Sequence, residues 1–112
     1  MRNSKKQAEY IEFLKVSVLK FYQCSFNEFK KLPEYMIFYK ALKVQPATKK
    51  AICTAFNLNI EAMCRCKRKL EKNGTLKQSS KKVICQYTEH YAYLITTNND
   101  LFNIKLYSNA KQ

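Results

Sequence analysis

The sequence predicts a mainly α chain that ends in a small β-hairpin, an α+β fold headed by one long N-terminal helix. Three observations predict it. Apolar residues recur at helical spacing as far as about residue 72, and only two prolines interrupt them. The single glycine, Gly74, stands where a helix C-cap needs positive φ. Beyond it the pattern changes to short alternating segments rich in Tyr, Ile and Thr, set off by polar turns.

Taken in order, Ser4-Lys5-Lys6-Gln7 reads as a capping box, with the Ser oxygen and the Gln side chain satisfying orphan amides at the start of a helix from about Lys5 to Tyr22. Ile11, Leu14, Val18, Phe21 and Tyr22 recur at helical spacing, but Phe13, Val16 and Leu19 lie on other sides. So much apolar surface on one helix of a small domain asks for a partner, and a homodimer through this helix is expected. The alternative is a helix that wraps its own domain. Ser25-Phe26-Asn27-Glu28 is a second capping box and opens a short helix that stops before Pro33. A helix from about Glu34 to Val44 follows, carrying Tyr35, Phe38, Tyr39 and Leu42. Thr48 caps a short helix that buries Ile52, Cys53 and Phe56. Asn57 suits the left-handed backbone of a tight turn, Leu58 plugs that turn, and Asn59 caps a helix running to about Asn73. Strands are expected over Thr75 to Ser79, Val83 to Tyr87 and Tyr91 to Thr97, with Ser79-Ser80-Lys81-Lys82 as a polar turn. A last short helix is expected between Asn99 and Tyr107, using Leu101, Ile104 and Tyr107.

Composition bounds the function. A chain of 112 residues is one domain by the usual ~100 to 200 residues per domain, which excludes a multidomain enzyme. One glycine leaves no glycine-rich phosphate loop. No apolar run approaches the ~18 residues of a membrane span, and the first residues lack the apolar core of a signal peptide, so a cytoplasmic protein with no membrane partner is expected. In that reducing compartment the five cysteines are expected to be thiols.

The charge is unevenly placed. Lys and Arg number 21 against 8 Asp and Glu, a net charge of +13. Residues 1–39 contribute +3, residues 40–82 contribute +10 and residues 83–112 contribute nothing net. Cations concentrated on 43 residues are the footprint of a polyanion binder, since each neutralised phosphate releases condensed counterions. A solvated Lys-rich face is the plainer alternative.

Placing Asn59 to Lys72 at ~100° per residue puts Met63, Cys66 and Leu70 on one side and Glu61, Arg65, Arg68, Lys69 and Lys72 on the other. One face packs and the other is cationic. Two of the three arginines lie on that outer face, and the Arg fork reads guanine O6 and N7 bidentately. Arg65 and Arg68 are therefore candidates for base contact, and Asn59, Glu61, Lys69 and Lys72 are further DNA-binding candidates on the same helix. Lys81 and Lys82, expected at the hairpin tip, would reach a phosphate or the minor groove, and Lys49, Lys50 and Lys77 would grip the backbone.

Three short helices followed by a basic hairpin is the order of a winged helix-turn-helix, and residues Thr48 to Thr97 resemble that family. Ile52 and Cys53 fall where its first motif helix is apolar and then small, Asn57 and Leu58 at its turn, and Met63 and Cys66 at buried positions of its recognition helix. Leu70-Glu71-Lys72-Asn73-Gly74-Thr75-Leu76 matches the exit into the first wing strand. The chain most resembles small regulators of bacterial phages and mobile elements. Lys67 departs from the pattern at a usually apolar slot, where its stem must snorkel, and Thr75 replaces a usual aliphatic. The resemblance implies a helical extension over residues 1–32, a winged-helix domain over 33–98 and a tail over 99–112. It implies sequence-specific binding of double-stranded DNA by a transcriptional regulator, without cofactor and without catalysis.

Other constellations carry less. In Cys64-Arg65-Cys66 the two thiols point ~200° apart on a helix, a poor metal clip. Cys85 and His90 lack an orienting group for nucleophilic catalysis. Tyr87, Tyr91 and Tyr93 could stack unpaired bases of RNA or single strands, although Tyr91 and Tyr93, alternating on one sheet face, are expected to pack on helices. A protein-interaction module whose basic face only solubilises it is the remaining alternative.

Overall fold

The computed structural model describes residues 4–107. Five α-helices come first: α1 Ser4–Tyr22, α2 Phe26–Phe29, α3 Glu34–Val44, α4 Lys49–Phe56 and α5 Ile60–Lys72. Four two-residue strands follow, β1 Lys77–Gln78, β2 Val83–Ile84, β3 Tyr91–Ala92 and β4 Ile95–Thr96, then one 3-10 turn at Asn99–Leu101. The fold is α+β.

Local chemistry sets the helix ends. Ser25 and Glu28 form a reciprocal capping box, Glu28 N–H donating to Ser25 Oγ at 3.1 Å and Ser25 N–H to Glu28 Oε1 at 3.0 Å. Thr48 Oγ1 accepts from Ala51 N–H, and Asn59 Oδ1 accepts from Ala62 N–H at 2.8 Å. Between them Asn57 takes φ 54°, in the left-handed region, and Leu58 is buried in the turn. Gly74, at φ 78°, ends α5, while the Thr75 N–H reaches back to the Leu70 carbonyl at 2.8 Å. The expected box at the start of α1 is different. The Ser4 side chain lies outside the described residues, and Gln7 Nε2 donates across the molecule to the Tyr87 carbonyl at 2.6 Å.

One core joins all five helices. Leu14 and Val18 of α1 are fully buried with Ile37, Phe38 and Leu42 of α3 and Ile52 and Phe56 of α4. Phe56 stacks with Phe26 and tilts against Phe29 of α2. Each buried aliphatic side chain contributes ~1.5 to 3 kcal/mol, so α1 is held to its own domain by Leu14 and Val18. Much of the apolar surplus read from its sequence is absorbed there, with Tyr10, Ile11, Leu19 and Tyr22 half-buried. Phe13, Val16 and Phe21 remain exposed.

The β segment is one hairpin with a bulge, and its strands are shorter than the three expected. Near its base Lys77 pairs with Thr96 and Gln78 with Ile95, and Ile95 also exchanges both backbone hydrogen bonds with Ala47. Ile95 is thus the middle of a three-stranded patch between the α3–α4 linker and β1. Thr96 and Thr97 seat it on α3, their hydroxyls donating to the Leu42 and Tyr39 carbonyls at 3.2 and 2.7 Å, the first of which is among the orphan carbonyls at the end of α3. Farther out Val83 pairs with Ala92 and Ile84 with Tyr91. Between the two ladders Ser79 bonds Leu94, so that Ser80, Lys81 and Lys82 face the single residue Tyr93. Ser79 Oγ donates to the Lys81 carbonyl at 2.7 Å and closes this bulge. The tip is Cys85 to His90, where Cys85 N–H donates to the His90 carbonyl. Lys81 and Lys82 therefore stand in a bulge partway along the hairpin and not at its tip, because Ser79 takes up the ladder and the chain resumes pairing at Val83.

The helix expected between Asn99 and Tyr107 shrinks to the 3-10 turn. Both the Ser80 amide and hydroxyl draw on the Leu106 carbonyl, so the tail lies against the bulge, with Tyr107 buried and Ile104 exposed. Among the described residues no helix is long and apolar enough to cross a membrane.

Candidate nucleic-acid interface

Asn59 starts α5, and the 13 residues that follow divide by face. Met63 points into the core and Cys66 and Leu70 are half-buried, while Glu61, Arg65, Arg68, Lys69 and Lys72 are exposed. Cys66 is thus less buried than its slot suggested. Lys67, the residue in the usually apolar slot, does snorkel: its Nζ meets Glu71 Oε1 at 3.2 Å, one turn along the helix.

Beside α5 a concavity of about 390 Å³ opens between the start of α4 and the hairpin. Lys49 and Lys50 of α4, Lys67 of α5 and Lys82 of the bulge line it, with Tyr91 and Tyr93 as the aromatic wall. No carboxylate lies among these described lining residues. The first turn of α4 carries no acidic residue, and its positive end coincides with Lys49 and Lys50. Cations at a helix N-terminus oppose the macrodipole, a local cost that an anion seated there would relieve.

Hydrogen bonds hold the floor. Thr48 Oγ1 and Cys85 Sγ lie 3.0 Å apart, and the Thr88 amide donates to the same sulfur at 3.4 Å. Burial pushes the Cys85 thiol up, but the hydrogen bonds from Thr48, Thr88 and Tyr87 outweigh it and leave the thiol below its ordinary pKa. Lys49 Nζ lies 2.8 Å from Cys64 Sγ. Cys53, deeper in α4, is pushed up to about 12 by burial. With Gln7 tied to Tyr87, the hairpin tip leans back on α1, so the bulge is what stands beside α5.

The expected site residues separate into groups. Lys49, Lys50 and Lys82 come together, joined by Lys67, which sequence reasoning had noticed only as a departure from an apolar pattern. Lys82 Nζ lies 5.7 Å from the Tyr93 ring centre, within cation–π range. Tyr91 and Tyr93 were expected against helices and are instead 67% and 37% exposed, because the bulge turns this part of the hairpin away from the core. Arg65 and Lys69 line a second groove, between α3 and α5. Lys77 lies farther away, 5.9 Å from the Phe102 ring centre and beside Glu71 and Gly74. Among the described residues no group of three His, Cys, Asp or Glu side chains could hold a metal, and all five cysteines are free thiols.

No family model, curated protein or solved structure matches the chain.

Proposed function

We propose that the chain binds double-stranded DNA in the manner of a winged helix-turn-helix. Glu61, Arg65, Arg68, Lys69 and Lys72 of α5 face the major groove, and the lysines around the neighbouring concavity hold the backbone. The element order supports this reading: α3, the single pairing at Ala47, α4, the left-handed turn at Asn57, α5 and then a hairpin whose returning strand pairs with Ala47. The observation that carries it is the convergence of Lys49, Lys50, Lys67 and Lys82 from three separate elements on one concavity flanking α5. Cations that merely solubilise a surface have no reason to converge at a helix N-terminus, where they cost stability. In this reading Arg65 and Arg68 read bases, while Lys49, Lys50, Lys81 and Lys82 position the duplex without specifying sequence. Lys77, on the far side of β1, is at most an outlying phosphate contact. The protein acts by binding and regulates transcription; no step of catalysis enters.

A second reading has its own observation. Tyr91 and Tyr93 are exposed beside Lys82, the pairing of rings and cations on which unpaired bases stack. Competition at fixed salt separates the two. Duplex should displace a labelled duplex in preference to single strands and RNA, and the reverse order would move the function to the tyrosines.

A second copy docking on α1 is the companion proposal. Phe13 and Val16 are each half exposed on its outer side, and a two-fold there would present two α5 helices to successive turns of a duplex.

A further inference from the structure

The groove between α3 and α5 is larger than the lysine concavity, about 680 Å³, a size at which small-molecule sites are found. Its floor is apolar. Met63, Cys66 and Leu70 supply it from α5, and Tyr35, 57% exposed, lines it from α3. Burial raises the Cys66 thiol above its ordinary pKa, so the floor stays neutral at physiological pH. The rim is charged. Arg65 and Lys69 bring two cations, and the one carboxylate, Glu34, already accepts a hydrogen bond from the Asn59 amide at 3.3 Å. An occupant thus meets an apolar floor, an aromatic wall and a surplus of positive charge at one edge.

The dimensions choose between a peptide and a small molecule. On α5 the lining runs from Ala62 to Asn73, but on α3 it consists of Glu34 and Tyr35 alone, the first turn. A docked helix lays anchors at i, i+3, i+4 and i+7, about two turns, along its groove, a length that Glu34 and Tyr35 alone do not flank. A compact molecule with a ring or short chain and a terminal anion fits both chemistry and length. We infer that this groove binds a small aromatic or aliphatic carboxylate, which lies over Met63 and Leu70, pairs with Arg65 and Lys69, and competes with DNA for Arg65.

The competition rests on the DNA-binding reading; the site itself does not. Arg65 belongs both to the groove rim and to the exposed face of α5. A guanidinium engaged by a carboxylate is withdrawn from a base, and by linkage DNA must weaken carboxylate binding by the same factor.

The test uses the full chain and 4-phenylbutyrate as probe, with 4-phenylbutanol as its neutral analogue, followed by amide and methyl NMR. Saturable shifts confined to Tyr35, Met63, Cys66, Leu70 and their neighbours are expected. The alcohol should bind about tenfold more weakly, the factor that loss of one charge-assisted hydrogen bond gives. Ala62→Trp, filling the groove, should abolish the shifts while its own spectrum remains folded. Because the alcohol comparison uses unaltered protein, a misfolded variant does not remove the test. Shifts that never saturate, that scatter over lysines elsewhere, or that are equal for acid and alcohol would overturn the site. In a second arm the acid at saturation should weaken duplex binding at least severalfold in the native chain and not in Ala62→Trp. Carboxylate binding with undiminished duplex affinity would overturn the competition. A chain that binds the acid but no duplex in its absence would instead sink the DNA-binding reading and leave the groove site standing.

Discussion

α5 stands between two concavities of opposite chemistry. On the side it shares with α4 and the hairpin, Lys49, Lys50, Lys67 and Lys82 surround a hydrogen-bonded floor. On the side it shares with α3, Tyr35, Met63 and Leu70 make an apolar groove with charge only at the rim. The difference comes from what each neighbour contributes. α4 and the hairpin offer lysines because their apolar residues, Ile52 and Phe56 of α4 and Ile95 of β4, are already spent in the core. The first turn of α3 meets only the start of α5, where Glu34 accepts from the Asn59 amide, and supplies Glu34 and Tyr35 alone to the groove that runs on along α5 to Asn73. One helix can thus hold a polyanion on one flank, where it contributes Lys67, and a small apolar ligand on the other, where it contributes Arg65.

The largest effect should come from the residue that belongs to neither concavity's rim and anchors the helix between them. Met63→Ala, at a position 3% exposed, should cost about 2 to 5 kcal/mol of stability, read as a drop in the denaturant midpoint, and should damage both sites together. Arg65→Ala should lower duplex affinity by about 1 to 3 kcal/mol and relax sequence preference with the melting temperature nearly unchanged. If it leaves every duplex unaffected, α5 does not lie in the major groove. Cys53→Ser should destabilise by about 1 to 2 kcal/mol by leaving a buried hydroxyl poorly paired, and half-buried Cys66→Ser should cost less. Their equality in thermal melts would contradict the burial difference. The smallest and most discriminating change is Lys50→Glu. A carboxylate at the start of α4 complements the helix dipole and should raise stability by about 0.3 to 1 kcal/mol, while duplex binding falls. Stability and binding that move together would remove the case that Lys50 sits there for an anion.

Titration sharpens the same map. Cys53 ionises at about 12 in the folded chain because of its burial, above its value when unfolded. Its contribution to stability is therefore complete below the unfolded pKa and is lost as pH rises toward 12. Denaturation monitored from pH 8 to 12 should show alkaline destabilisation that is smaller in Cys53→Ala.

What was legible in the sequence was local. Ser25, Thr48, Asn57, Asn59 and Gly74 each carry their backbone geometry in their own side chain or in the lack of one, so the ends they mark needed no tertiary information. The cationic face of α5 was legible for the same reason, since helical spacing alone opposes Arg65 and Arg68 to Met63. The hairpin was less so. Its bulge depends on the Ser79 hydroxyl bonding both Lys81 and Leu94, and on the Leu106 carbonyl drawing Ser80 aside. Leu94 and Leu106 are distant in sequence, and Lys82 was accordingly expected at the tip and Tyr93 against the helices. The burial of Cys85 follows from its neighbour Thr48, 37 positions away. Neither concavity has a linear signature, because each is made by residues of elements that meet only in the folded chain.

The central claim is that the lysines beside α5 neutralise phosphates, and the slope of log affinity against log salt concentration measures it most directly. Each phosphate contact on a duplex contributes about 0.9 to that slope. The native chain should show a steep negative slope on duplex DNA, and Lys49→Ala, Lys50→Ala and Lys82→Ala combined should flatten it by about 2 to 3 without loss of fold. An unchanged slope in the triple variant, or no salt-dependent duplex binding by the native chain, would contradict the account.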